Sequence, residues 1–397
     1  MTTPVSHPVA LITPAGELRL KSRRTRARFR RALRDNLAAA LAARRVDAEV
    51  DDSRGRIMLT GDAHRAAEVA REVFGVHRVV VAEPLHARDL DQLTRRVAEV
   101  AARQVTDRTF AVRVRRRGRH DWSSRDAERR IGSLLLPHAA GVDLERPETT
   151  VLVIAHDDET YLAVEEHEGP RGLPVGTQQP ALVLLSGGFD SAVAAWRLLR
   201  RGVPVHFVHA ELACSQTDAA LAVAHELIRR WAPGTEPDVW VLDFSEVRAR
   251  LLDEVDARYR QVRLKELMLH AADRIAEREG FEALVTGEAL GQVSTQTLGN
   301  LAVIDRAAQR PVLRPLAGDD KEEIVDLARR IGTYDLSARS REVCDLSDGP
   351  VVTRARGEQL EPARDAAPDE LALQAAEQAW RLPLRSWVPG LPAPWAA

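Results

Sequence analysis

The sequence is nearly without cysteine. Its two, Cys214 and Cys344, in 397 residues exclude a disulfide framework and a cysteine-rich zinc site. The 12 histidines include no HExxH pair of the kind that binds a metalloprotease zinc. Long apolar runs are missing too, since none reaches the ~18 residues a membrane span requires. The N-terminal MTTPVSHPVALITPAGELRL lacks the basic and then apolar order of a secretory signal. The expected compartment is the cytoplasm. What is present is a globular composition, 45% hydrophobic and 29% charged. The length exceeds the ~250–300 residues at which single cores stop growing, so two or three domains are expected.

The formal net charge of -2 hides an asymmetry: residues 1–140 carry +12 and residues 141–397 carry -14. A basic front half suggests contact with a polyanion. Nine of the sixteen residues from Arg19 to Arg34 are basic, Lys21, Arg23 and Arg24 among them, and none is acidic. A second cluster, Arg115, Arg116, Arg117, Arg119 and His120, leads into Trp122. Guanidinium groups beside an aromatic ring suit phosphate contact and base stacking. A solvated arginine face would look the same in so arginine-rich a chain.

Apolar periodicity places short strands at 9–13, 46–60 and 78–82 around helices at 23–45 and 62–74, an α+β unit of ferredoxin-like size. A helix at 86–104, a strand at 110–115, a helix at 123–138 and a hairpin over 150–164 follow. The stretch 165–180 is rich in Gly and Pro and reads as a linker. Beyond it, apolar runs at 181–185, 203–210, 239–244 and 283–287 alternate with helical stretches at 191–201, 217–231 and 264–279. That pattern predicts a doubly wound parallel sheet, whose ligands bind at the carboxyl ends of its strands.

The first of these runs ends in Leu184-Leu185-Ser186-Gly187-Gly188-Phe189-Asp190-Ser191 and enters a helix. Backbone N–H groups of a Gly-rich turn at a helix N-terminus cradle an oxyanion. The pattern is neither a Walker A motif nor the dinucleotide G-x-G-x-x-G. SGGxDS after a buried strand resembles the PP-loop of ATP pyrophosphatases. With RQVRLK (260–265), TGEALGQVSTQT (286–297), LRPL (313–316) and DKEEI (320–324) in this order, the chain resembles the ThiI family of tRNA 4-thiouridine synthetases. VRVRRRGRHDWSS resembles that family's THUMP domain.

The resemblance implies an α/β protein. A ferredoxin-like domain (1–60), a THUMP RNA-binding domain (61–168), a linker (169–180) and a PP-loop adenylation domain (181–397) are expected. It implies ATP with Mg2+, tRNA as partner, a cysteine desulfurase or other persulfide donor, and a homodimer. Uridine 8 of tRNA would be adenylated and then thiolated; sulfur carriage for thiamine thiazole is a further family role. ATP-site positions carried over are Leu184, Leu185, Ser186, Gly187, Gly188, Phe189, Ser191, His206, Phe207, Lys265, Gly287 and Gln296. Asp190 and Lys321 match residues of adenylation, with the magnesium near Asp190, and Cys344 matches the sulfur-transfer cysteine. The tRNA is assigned to Lys21, Arg23, Arg24, Arg115, Arg116, Arg117, Arg119 and His120.

Lys321 also has a local argument. Asp320 with Glu323 reads as a capping box, which puts a cation in the first turn of a helix, where only a nearby anion would favour it. Longer family members append a rhodanese domain that the residues up to Ala397 do not match. The sulfur carrier is therefore expected to be a separate protein, Cys344 itself, or Cys214. Two other readings stay open: a PP-loop ligase or amidotransferase acting on a small molecule, and a tRNA-binding module with a vestigial ATP site. The tail tryptophans Trp380, Trp387 and Trp395 are expected to cover a sheet edge.

Overall fold

The computed structural model describes residues 7–53, 55–87, 89–156, 159–212, 217–339, 346 and 350–388. Both cysteines and Trp395 lie outside them. The chain forms two compact units, one of residues 1–20 and 37–171 and the other of residues 21–36 and 172–397.

The first unit is one eight-stranded sheet. Its strands are β1 (Val9–Pro14), β2 (Ala48–Asp51), β3 (Ile57–Gly61), β4 (Val76–Leu85), β5 (Thr109–Arg117), β6 (Gly141–Val142), β7 (Thr149–His156) and β8 (Glu159–Glu168), in the order β2-β3-β1-β4-β8-β7-β5-β6. Helices α1 (Gly16–Arg19), α2 (Arg23–Ala43), α3 (Ala63–Ala70), α4 (Leu90–Val105) and α5 (Ser124–Leu135) interleave with them. The sheet runs on past residue 60, because β4 pairs antiparallel with β1 on one side and with β8 on the other. The strand also continues further than the 165–180 linker reading allows. Residues 165–168 stay in β8 opposite Val81 to Arg78, and Arg78 bonds Glu166. In α2, Phe29, Leu33, Leu37 and Leu41 are buried at a spacing of four, which leaves Arg31 and Arg34 exposed and Arg30 half-buried.

The second unit carries a six-stranded sheet. Strands β9 (Ala181–Leu184), β10 (Val205–Glu211), β11 (Asp238–Asp243), β12 (Leu284–Val285), β13 (Val312–Leu313) and β14 (Trp380–Pro383) lie in the order β13-β12-β9-β10-β11-β14. The first five are mutually parallel. β14 adds antiparallel to β11 and so covers that edge, with Leu382 buried and Trp380 half-exposed. The helices are α6 (Phe189–Leu199), α7 (Thr217–Trp231), α8 (Ser245–Glu254), α9 (Ala257–Glu279), α10 (Leu298–Ile304), α11 (Lys321–Ile331), α12 (Tyr334–Ser337), α13 (Gly357–Ala366) and α14 (Asp369–Glu377). The chain winds outward from β9 through β10 and β11, then returns to β9's other side as β12. β9 and β12 therefore flank the switch point at which doubly wound sheets bind ligands.

Candidate active site

The turn that leaves β9 is built from its own side chains. Ser186 N–H donates to Ser191 Oγ at 3.1 Å, and Ser191 Oγ donates back to the Ser186 carbonyl at 3.0 Å. These bonds close the loop before any ligand arrives. Gly188 is the N-cap of α6 and offers no side-chain oxygen. The first-turn N–H groups of α6 are therefore left for an external anion, with the helix dipole behind them. Gly287, just after β12, packs against this loop so closely that a Cβ there would lie 2.5 Å from the Asp190 carbonyl carbon. Only glycine fits at that position.

A second helix N-terminus meets the first. α11 starts at Lys321 under a complete capping box, in which Glu323 N–H donates to Asp320 at 2.8 Å and Asp320 N–H donates to Glu323 at 3.2 Å. Arg197 of α6 bonds Asp319 at 2.6 Å. Lys321 Nζ then reaches Asp190 Oδ1 at 2.8 Å and Oδ2 at 3.2 Å. Gln292 Nε2 donates to Asp190 Oδ2 at 3.0 Å. The cation opposes its own helix dipole, and the Asp190 carboxylate offsets that cost.

Beside this pair a cavity of about 380 Å³ opens at the carboxyl ends of β9, β10 and β12, a volume in the range of small-molecule sites. Its lining includes the apolar Leu184, Leu264, Met268, Leu269 and Ile304 and the polar Ser186, Asp190, Lys265 and Thr286. Its floor holds a charge cluster. Glu288, only 4% exposed, accepts from Lys265 at 3.1 Å, Arg314 at 2.9 Å and Thr286 at 2.9 Å. Burial pushes the Glu288 carboxyl up, but Lys265 and Arg314 outweigh it and hold its pKa below the ordinary value. Arg314 is anchored in turn by Asp305 at 2.5 Å. Lys265 is thereby aimed at the cavity as a fixed ammonium.

The structure brings together in this cavity Leu184, Leu185, Ser186, Gly187, Asp190, Ser191, Lys265, Gly287 and Gln296. Lys321 joins them through Asp190. Gly188 is withdrawn as the buried cap, and Phe189 stacks on Tyr334 at 5.3 Å outside the lining. His206 and Phe207 do not line it either. They are the second and third residues of β10, with His206 against Phe281 at 4.9 Å, its Nδ1 accepting from Asp238 N–H at 3.1 Å, and Phe207 fully buried. The strand end belongs to His209 and Ala210, three residues on. His209 is buried, donates from Nδ1 to the Leu185 carbonyl at 3.0 Å, and is kept neutral by burial. The sequence reading had also passed over Gln292, Glu288 and Arg314, although the first two stand inside the TGEALGQVSTQT motif it used.

A nucleoside triphosphate fits these residues: an apolar base-sized wall, a rim of N–H donors, and two lysines. For magnesium, Asp190 is one available carboxylate, already shared by Lys321 and Gln292. No group of three metal-ligating side chains occurs among the described residues, so an ion here would draw its other ligands from phosphates and water.

The basic clusters are exposed, apart from His120, which is half-buried. Lys21, Arg23 and Arg24 precede or open α2, whose residues up to 36 fall in the second unit. In the first unit, Arg115, Arg116 and Arg117 end β5. The Arg116 guanidinium lies 5.7 Å over the Trp122 ring and donates to the Trp122 carbonyl, and His120 sits 5.0 Å from the same ring. Arg119 is exposed beside them. No helix among the described residues is long and apolar enough to cross a membrane.

Comparison with known proteins gives one consistent result. A family model described as thiamine biosynthesis protein (ThiI) matches residues 176–367, a THUMP domain model matches 87–165, and a ThiI ferredoxin-like domain model matches 11–80. A tRNA sulfurtransferase of Desulfurococcus amylolyticus is 43% identical over 356 residues, 89% of this chain and 74% of that one. A probable tRNA sulfurtransferase of Aeropyrum pernix is 42% identical over 340 residues, 84% of this chain and 86% of that one. The crystal structure of a 4-thiouridine synthetase–RNA complex with bound ATP is similar with a TM-score of 0.80 at 26% identity, covering 94% of this chain and 99% of that chain.

Proposed function

Because the chain belongs to the ThiI family of tRNA sulfurtransferases, we propose that it uses ATP to convert uridine 8 of tRNA to 4-thiouridine. The observation that carries this reading is the Asp190–Lys321 pair at two converging helix N-termini, beside a cavity lined by Ser186, Gly187, Asp190 and Ser191. ATP is the substrate that such an arrangement suits, taken with Mg2+, and the base lies against Leu184 and Met268.

In the first step the uracil O4 attacks the α-phosphorus, the bond to the β-phosphate breaks, and pyrophosphate departs. The N–H groups of the loop and the Lys321 ammonium stabilise the charge that grows on it. Lys321 does this while Asp190 holds it in place. In the second step the terminal sulfur of a persulfide bonds to C4 and AMP leaves. A second thiolate then attacks the inner sulfur of the S–S bond, releasing 4-thiouridine and leaving a disulfide. Cys344 supplies one of these two thiols, and Cys214 is the alternative within the chain.

The exposed Lys21, Arg23 and Arg24, and the Arg115–His120 cluster with Trp122, are the proposed tRNA contacts, which read shape and phosphate in preference to sequence. A cytoplasmic homodimer served by a cysteine desulfurase completes the reading, and sulfur carriage to thiamine thiazole is proposed as its second output. The test is 4-thiouridine formation on unmodified tRNA with ATP, Mg2+, cysteine and a desulfurase, for wild type, Cys344→Ala and Cys214→Ala. Loss in Cys344→Ala alone is expected. Pyrophosphate release without tRNA, at the rate seen with it, would overturn the reading in favour of a small-molecule ligase.

A further inference from the structure

Gln292 carries a polar atom that the reaction has so far left unused. Its Nε2 donates to Asp190 Oδ2 at 3.0 Å, and because a carboxylate only accepts, this bond fixes which way the amide faces. Its Oε1 is buried and has no hydrogen-bond partner among the described residues, and Gln292 lines the cavity. A buried amide oxygen without a donor is destabilising, because it has given up water and gained nothing. A ligand that brings an N–H or O–H to this place would recover that cost.

The chemistry of the proposed first step requires such a donor. When uracil O4 bonds to phosphorus, C4 becomes doubly bonded to N3, so the N3–H bond must break. The atom beside O4 that carries the proton is therefore the atom whose hydrogen bond orients O4. In the proposed reaction the paired Asp190 and Lys321 hold the pyrophosphate end, so an acceptor tied directly to Asp190 fixes the distance between the nucleobase and the leaving group.

We propose that Gln292 is the uracil-positioning residue: its Oε1 accepts the N3–H of the target uridine while its Nε2 stays on Asp190. O4 is thereby turned toward the α-phosphorus. As O4 bonds to phosphorus the N3 proton is released to water, and the departing pyrophosphate takes up the electron pair of the P–O bond that breaks. Cytidine presents an N3 lone pair to Oε1 in place of a donor, so this contact favours uridine over it. The inference rests on the thiolation reading above, and its test separates the two.

The experiment uses full-length protein and synthetic tRNA carrying uridine or 5-fluorouridine at position 8, with wild type, Gln292→Met and Gln296→Met. Fluorine makes N3–H more acidic and so easier to lose without help. With ATP saturating, Gln292→Met is expected to lose about 100-fold in kcat/KM for uridine tRNA, the order of loss that follows a misplaced reactant. 5-Fluorouridine should restore at least a tenth of the lost rate in Gln292→Met while changing wild type little. Gln296, whose Oε1 is also buried without a partner but which has no bond to Asp190 among the described residues, should show no such selective rescue. Equal response of wild type and Gln292→Met to fluorine, or rescue of Gln296→Met instead, overturns the assignment. Failure of wild type to thiolate uridine tRNA would overturn the thiolation reading itself.

Discussion

Gly287→Ala adds one methyl group at the point where β12 meets the PP-loop. An ideal Cβ there would lie 2.5 Å from the Asp190 carbonyl carbon, 2.7 Å from Ser191 N and 2.8 Å from the Asp190 oxygen. All three are backbone atoms at the start of α6, so no side chain can swing aside. Nonbonded carbons settle at about 3.5–4.0 Å, so the loop and the β12 turn must part by about 1 Å. Overpacking of this kind costs about 1–3 kcal/mol, and a 1 Å displacement of a reacting group costs about 100-fold in rate. Because the atoms displaced belong to Asp190 and Ser191, the rate should suffer more than the fold. The assay is tRNA-dependent pyrophosphate release, scored as kcat/KM beside a thermal melt, with Gly318→Ala as control because a Cβ at Gly318 meets nothing within 4 Å. A Gly287→Ala protein with wild-type kcat/KM would refute the claim that this contact sets the loop.

Glu288→Gln leaves Lys265 and Arg314 without their buried carboxylate, and loss of one partner of a buried pair typically costs about 3–5 kcal/mol; a melt at pH 7 should fall accordingly, and ATP affinity with it. The folded Glu288 pKa is depressed, so its stabilisation is present above the ordinary glutamate value and is lost as pH falls through the folded one. His209 has a lowered folded pKa, so the unfolded chain binds its proton first and stability should fall as pH drops below about 6.5. His209→Gln, which keeps an N–H for the Leu185 carbonyl, should melt with a shallower slope between pH 6.5 and 5.5. Removal of residues 380–397 strips β14 from β11 and bares the edge of Asp238–Asp243, so light scattering on warming should show aggregation that wild type lacks. Arg115→Ala and Arg117→Ala should each weaken tRNA binding and flatten its log salt slope by about 1.

The PP-loop and the α11 cap were legible because each is set by neighbours in sequence. A strand, two glycines and a helix start lie within eight residues, and the Asp320–Glu323 box closes over three. β14 was not legible as a strand, because a four-residue segment between α14 and the C-terminal tail takes its state from the β11 edge it covers, whose paired residues lie 139 to 145 positions earlier. Residues 165–168 went to the linker for the opposite reason. Glu165-Glu166-His167-Glu168 is polar by composition, yet Arg78 and the β4 ladder supply what its side chains and backbone need. The shift from His206 and Phe207 to His209 and Ala210 was a matter of depth. Family resemblance pointed to the strand, but only the register of β10 against β9 says where the strand ends.

Lysine itself was a signal that composition held and motif reading did not use. The chain has three, Lys21, Lys265 and Lys321, among 57 basic residues. In a protein that otherwise spends arginine everywhere, lysine marks places where a compact ammonium is needed and a planar fork will not do. Two of the three meet the same group of residues: Lys265 on Glu288 at 3.1 Å in the cavity wall, and Lys321 on Asp190 at 2.8 Å at the helix start. Each cation is held by a carboxylate that leaves its remaining donors for a ligand. The arginines of this site do the other task, since Arg314 spans Glu288 and Asp305 and Arg197 reaches Asp319, bracing the carboxylates and the loop from behind. The division predicts that Lys321→Arg, though it keeps the charge, loses most of the tRNA-dependent pyrophosphate release, because a guanidinium long enough to fork across Asp190 no longer presents a single donor to a phosphate. Arg314→Lys should instead lose stability more than rate, and the opposite ordering of the two variants in paired kinetic and melting measurements would refute this account of the site.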